Sequence, residues 1–198
     1  MLCLFDANVL ITLNNTYYAI DQVPEYWDWI QDQAEKGNIK LPSEMMSEIL
    51  AGKESSKAKD DRLLQWITQS AIEKALVLDE KVNGDFVSRV LEDGYGPKVT
   101  DTELEVIGRD PFLVAYGMAD AGNRCIVTTE VSAPKKVRQN RKLPNVSEQF
   151  GIAWWPPHVA NRTLGFKTGW KKVEATGSLG VASHRSLRRA LGMRDNSS

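Results

Sequence analysis

The sequence predicts an α/β protein, a central and mostly parallel sheet flanked by helices, with a basic C-terminal appendage. Three observations predict it. Leu2–Phe5 is a short continuous apolar run, and Arg124–Thr129 (RCIVTT) is the clearest later strand, as expected of segments covered on both faces. Apolar residues between them recur at helical spacing, and strands that alternate with helices pair in parallel. Helix boundaries are marked by Ser43, Gly37, Gly52 and Asp110-Pro111. At 198 residues the chain suits one well-buried domain and would cramp a second.

In order, Val9, Leu10 and Ile11 begin a turn or helix after the first strand. Val23, Trp27, Ile30 and Ala34 form a helical stripe, with Asp21 placed to cap it, Pro24 in its first turn and Gly37 at its end. Ile39–Leu41 reads as a second strand closed by Pro42. Ser43 caps a helix that carries Met45, Met46, Ile49 and Leu50, and Lys53–Asp61 is a polar connection. Leu63, Leu64, Trp66 and Ile67 mark another helix, and Ala75–Leu78 a short strand or edge segment. Asp79 is placed to cap a helix through Val82, Phe86, Val90 and Leu91, ending at Gly94. Asp110 and Pro111 open a helix that runs through Met118 towards Gly122. Val146–Phe150 is a short helix, Ile152–Trp154 a last strand, and Leu187–Leu191 a helix candidate in the tail.

The net charge of −1 conceals a division. Residues 1–130 hold 12 Lys+Arg against 23 Asp+Glu, whereas residues 131–198 hold 13 against 3. Such asymmetry suits cations in one region and an anionic polymer in another. Cys3 and Cys125 are the only cysteines, too few and too isolated for a disulfide scaffold or a zinc site. Asp6 interrupts the apolar start, no signal-peptide pattern is present, and no apolar run is long enough to span a bilayer. These features predict a soluble, cytoplasmic protein without a membrane partner.

Four carboxylates stand out by position. Asp6 directly follows a hydrophobic strand, where an ionised group is costly unless paired, hydrogen-bonded or metal-bound. Glu48 falls about 60° from Met45 around its helix and so borders the apolar stripe; Glu44 lies on much the same side, and geometry alone does not choose between them. Asp110 suits a helix cap, which leaves one oxygen for a cation. Glu130 follows the strand ending in Thr128 and Thr129. Oxygen donors without His or Cys specify a hard cation, Mg²⁺ or Mn²⁺, and carboxylate-only sites support phosphodiester cleavage. Phe5-Asp6-Ala7-Asn8 lacks the second Asp of an aspartyl-phosphate signature, and no GxxxxGK[ST], GxGxxG or GxSxG occurs.

Taken together, the sequence resembles a PIN domain. Phe5-Asp6-Ala7-Asn8-Val9-Leu10 is similar to that family's first-strand motif, Asp110-Pro111-Phe112-Leu113-Val114-Ala115 to its later Asp motif, and Val127-Thr128-Thr129-Glu130 to its Thr-x-Asp element. Tyr17-Tyr18, Asp21, Pro24 and Tyr26-Trp27-Asp28-Trp29 resemble a bacterial PIN-like subfamily related to VapC-type toxins. The resemblance covers roughly residues 1–155 and places a PIN-like domain at 1–164, with residues 165–198 as the extension. It implies a Mg²⁺- or Mn²⁺-dependent endoribonuclease, the toxin of a toxin–antitoxin pair, with a cognate antitoxin protein and a homodimer as expected partners. Asp6, Glu48 and Asp110 are the implied metal ligands, joined by Glu130 where the family usually has Asp. Thr128 would orient water or a ligand, and Asn8 would hydrogen-bond the first carboxylate.

The expected reaction is in-line hydrolysis of RNA, leaving 5′-phosphate and 3′-hydroxyl ends. Lys135, Lys136, Arg138, Arg141 and Lys142 follow Glu130 closely and would track the RNA backbone, with Arg109 beside Asp110 as a further phosphate contact. Trp27, Trp29, Trp154 and Trp155 are candidate base-stacking residues, with core packing the competing use. Arg185, Arg188, Arg189 and Arg194 suit RNA or an acidic partner. Arg109 and the Glu130 departure support an alternative, a catalytically weak or inactive PIN-like protein that binds RNA or a partner.

Overall fold

Four short parallel strands organise the molecule: β1 (Leu2–Phe5), β2 (Ile39–Lys40), β3 (Arg124–Val127) and β4 (Ala153–Trp155). Their order across the sheet is β2-β1-β3-β4. Cys3 lies opposite both Ile39 and Cys125, Phe5 opposite Val127, and Val127 opposite Trp155. The computed structural model describes residues 1–51 and 61–171. The chain divides into two units, Met1–Gly165 and Phe166–Ser198, and the sheet belongs to the first. The polar connection from Lys53, the candidate helix Leu187–Leu191 and the tail arginines fall wholly or largely outside the described residues.

Parallel pairing requires a crossover after every strand, and helices supply it. The first crossover holds α1 (Ala7–Thr12), a π-helical turn over Leu13–Tyr17, and α2 (Pro24–Glu35). The second holds α3 (Ser43–Ala51), α4 (Arg62–Ile67), α5 (Ser70–Leu76), α6 (Gly84–Arg89) with a π-helical turn Val90–Tyr95, α7 (Asp101–Ile107) and α8 (Asp110–Met118). The third carries a 3₁₀ turn Arg138–Asn140 and α9 (Leu143–Gln149), and α10 (Pro157–Thr163) follows β4. The α/β class with a parallel sheet flanked by helices is therefore as expected. No described helix is long and apolar enough to cross a membrane.

The structure corrects several local expectations. Asp21 does not cap α2; the cap position is Val23, without a side-chain bond, and Pro24 opens the helix. Ala75 and Leu76 end α5, and of the expected short strand or edge segment Ala75–Leu78 only an isolated Leu41–Val77 bridge remains. Asn83, not Asp79, caps α6 through the N–H groups of Asp85 and Phe86. Alpha7 has no counterpart among the expected elements, although Thr100 and Glu103 form a capping box at its start.

The core gathers around β1 and β3, whose Cys3, Leu4, Phe5, Cys125, Ile126 and Val127 are buried. Tyr26, Trp27, Trp29 and Ile30 of α2 are buried as well, and Trp27 meets Trp66 of α4 edge-on with centroids 4.8 Å apart. Burying each such side chain contributes roughly 1.5–3 kcal/mol or more. A close approach sets α8: a Cβ on Gly117 would lie 2.9 Å from Ile152 Cδ1, so glycine lets the helix settle beside the entry to β4.

Candidate functional site

Because β1 and β3 are parallel, the residues that follow them emerge at one edge. Asp6 N–H donates to the Val127 carbonyl at 3.0 Å, and Thr128 N–H donates to the Trp155 carbonyl at 3.2 Å. The ladder thus extends one residue past each strand and fixes Asp6 and Thr128 side by side. Asp6 also caps α1; its Oδ1 accepts Asn8 N–H at 3.4 Å, and its Oδ2 accepts the Thr128 hydroxyl at 3.0 Å. Asn8 therefore reaches the carboxylate through its backbone, while its side chain is on an exposed residue.

Asp6 is 3% exposed, and Thr128 is fully buried. Burial pushes the Asp6 carboxyl up to about 6; the Thr128 hydroxyl and the Asn8 N–H oppose the shift, and the charges of Glu48 and Glu130 add to it. Asp110 occupies the first position of α8, with Arg109 at the cap, so the carboxylate does not serve as the cap. Its Oδ2 accepts the Tyr95 hydroxyl at 3.3 Å. Burial again dominates, and with the charges of Asp6, Glu130 and Glu48 it holds Asp110 well above the usual carboxylate range. Four acids from distant segments therefore lie within electrostatic reach of one another.

They are not equivalent. Glu48 sits on the exposed face of α3. Glu130 is engaged: Oε1 accepts Lys142 Nζ at 2.6 Å and Oε2 accepts Leu143 N–H at 2.7 Å. Its N–H in turn donates to the Thr128 hydroxyl at 3.1 Å. Among the described residues, no group of three or more His, Cys, Asp and Glu side chains is disposed to hold a metal ion as it stands.

The basic residues separate in the same way. Arg138 forks onto Glu103, Arg141 bonds the Gly94 carbonyl and Gln149 Oε1, and Lys142 pairs with Glu130. Lys135, Lys136 and Arg109 are exposed and make no ion pair among the described residues. Trp27 and Trp29 are core residues, and Trp154 donates its indole N–H to Glu148 at 2.8 Å. Tyr95 is a site residue that sequence reasoning misses; a tyrosine inside Glu92-Asp93-Gly94-Tyr95 gives no signal until α8 brings Asp110 to it.

A family model described as a domain of unknown function, DUF4411, matches residues 3–167. The chain belongs to the DUF4411 family. That match spans the sheet except for Leu2, all four acids and the whole basic loop after Glu130, so the site just described lies inside the DUF4411 domain. No curated protein matches the chain. Among solved structures, this DUF4411 chain is similar to one described as VapBC2 from Rickettsia felis bound to a DNA fragment from their promoter. The identity is 15%, the TM-score 0.44, and the match covers 79% of this chain and 98% of that one.

Proposed function

We propose that this DUF4411 protein is a metal-dependent endoribonuclease that hydrolyses RNA phosphodiester bonds, acting as the toxin of a type II toxin–antitoxin pair. The observation that carries the reading is the placement of Asp6 at the carboxyl ends of the parallel strands, hydrogen-bonded to Thr128, with Asp110 near enough to feel its charge and Glu48 and Glu130 near enough for theirs to act on both. Ligands in open parallel sheets bind at that edge. The toxin biology rests on the PIN-like motifs in the sequence.

The donor chemistry fits Mg²⁺ or Mn²⁺. Asp6, which is buried, and Asp110, which is half-buried, are hard oxygen donors, and no described cationic side chain is bonded to either. These two would be the principal ligands, with Glu48 reaching in from α3 and Glu130 contributing after release from Lys142. The cation, when bound, supplies charge neutralisation at the phosphate and acidifies water for attack. The chain's own residues do the positioning. Thr128 holds one oxygen of Asp6, Tyr95 holds one oxygen of Asp110, and Arg109, Lys135 and Lys136, which make no ion pair among the described residues, offer cations for phosphate oxygens.

The test is cleavage of single-stranded RNA with added Mn²⁺, comparing wild type with Asp6→Asn. Loss of cutting in the variant with binding retained supports the nuclease. If neither protein cuts and both bind equally, the reading fails. One observation favours a second reading, a PIN-like protein that binds RNA or a partner without cutting: Glu130 is already neutralised by Lys142.

A further inference from the structure

A cavity of about 490 Å³ opens between the end of α1 and the carboxyl ends of β3 and β4. Its volume falls within the roughly 300–1,000 Å³ typical of small-molecule sites. Tyr17, Tyr18, Thr129, Pro157, His158 and Asn161 are among the residues that line it. Thr129 stands between Thr128 and Glu130, so the cavity begins one residue from the acidic centre. At its other side, Thr12 closes the six-residue helix that Asp6 caps, about 9 Å along the axis.

The wall is built from aromatic groups fixed by their neighbours. Tyr18 stacks on Tyr26 with ring centroids 4.0 Å apart and planes 13° from parallel. The Tyr18 carbonyl accepts the Trp27 indole N–H at 2.6 Å. Tyr26 donates its hydroxyl to Asn161 Oδ1 at 2.9 Å, which orients that amide and leaves its NH₂ as the remaining hydrogen-bonding group at the wall. Tyr17, by contrast, is 67% exposed on a π-helical turn, a local geometry frequent at functional sites. A rigid aromatic wall, a free aromatic ring, an imidazole and an amide donor match a flat heteroaromatic ligand with polar edges.

We propose that this cavity receives one unpaired base of the RNA substrate, stacked against Tyr17, while the adjacent phosphodiester lies at the acids. The inference rests on the nuclease reading and adds to it a base-binding subsite beside the acids. Unpaired bases are recognised by stacking on aromatic rings together with edge hydrogen bonds, and every base presents such a face. Asn161 and His158 supply the edge contacts, so the cavity gives the enzyme a preferred base beside its cleavage point.

The experiment measures binding of labelled single-stranded RNA to the full chain carrying Asp6→Asn, by fluorescence anisotropy, with cleavage by the Asp6-intact protein followed in parallel. Tyr17→Ala should weaken binding about tenfold, and Tyr17→Phe should bind within about twofold of its parent. An abasic nucleotide walked along the RNA should produce a similar loss at one position, and that loss should disappear in Tyr17→Ala. RNA binding that is indifferent to Tyr17→Ala and to every abasic position overturns the cavity assignment even if cleavage is robust. Tyr17-dependent binding without cleavage supports the cavity and removes the nuclease. Absence of RNA binding removes the cavity proposal as well.

Discussion

One hydroxyl joins the first and last acids of the site: Thr128 Oγ1 donates to Asp6 Oδ2 at 3.0 Å and accepts Glu130 N–H at 3.1 Å. Both contacts are used, so the hydroxyl proton is committed to Asp6. Thr128→Val keeps the shape and removes the bond. A hydrogen bond to a charged group contributes about 1.5–3 kcal/mol, so RNA cleavage should fall at least tenfold and half-maximal activity should require more Mn²⁺. Thr128→Ser should restore both. The check is a Mn²⁺ titration of the cleavage rate for the three proteins.

Asp6 is destabilising to the metal-free fold because it is buried and faces like charges from Glu48, Asp110 and Glu130. Asp6→Asn removes that charge and keeps an oxygen for the Thr128 hydroxyl. The variant should melt at a higher temperature than wild type in chelator at neutral pH, by on the order of 1 kcal/mol, and should not cut RNA. Added Mn²⁺ should stabilise wild type and leave the variant nearly unchanged. Equal melting temperatures in chelator would contradict the electrostatic account.

Legibility follows locality. Beta1 and β3 are readable because each is a continuous apolar run, Asp6 because it stands directly after β1, and Glu130 because it follows Thr128 and Thr129 just past the end of β3. The end of α5 reads as a strand because Ala75–Leu78 is short and apolar, and Val77 indeed makes one bridge to Leu41. Alpha7 escapes notice because it carries few buried residues; only Ile107 turns inward, so no apolar stripe marks it. The basic loop shows the limit most clearly. Five cations in sequence look equivalent, yet Arg138, Arg141 and Lys142 each find a partner that comes from elsewhere in the fold or across the loop. Composition gives the charge, and tertiary partners decide which of it is free.

Glu103 provides a pH dependence with a definite sign. The Arg138 guanidinium beside it and the Thr100 N–H bring its carboxyl down to about 2. A folded value below the unfolded one means that the contribution is present above the ordinary glutamate range and is lost as pH falls towards 2. Melting temperature should therefore drop between about pH 5 and pH 2.5, and Glu103→Gln should flatten that part of the curve. A parallel curve for the variant would show that the pair contributes nothing there.

Gly117 tests the packing of α8. The nearest atoms to an added Cβ are Ile152 Cδ1 at 2.9 Å and Cγ2 at 3.1 Å, and Ile152 is itself buried. Gly117→Val should destabilise the protein by about 1–3 kcal/mol through overpacking, read as a lower urea midpoint. Gly117→Val combined with Ile152→Ala should recover part of the loss, because the space vacated by the isoleucine accepts the new methyl groups.

The two kinds of cation after Glu130 predict two separable phenotypes. Lys135 and Lys136 are exposed and unpaired among the described residues. Removing one lysine–phosphate pairing from a single-stranded RNA complex should flatten the plot of log affinity against log salt by about 0.7. Lys135→Ala and Lys136→Ala should therefore weaken RNA binding most at low salt and leave the Mn²⁺ requirement alone. Lys142 is held 2.6 Å from Glu130, which pushes its ammonium pKa up and occupies a carboxylate oxygen. Lys142→Ala frees that oxygen, so half-maximal cleavage should need less Mn²⁺, while the salt slope of binding stays at its wild-type value. If Lys142→Ala instead flattens the slope and does not change the Mn²⁺ requirement, Lys142 leaves Glu130 to meet the phosphate, and Glu130 stays outside the cation site.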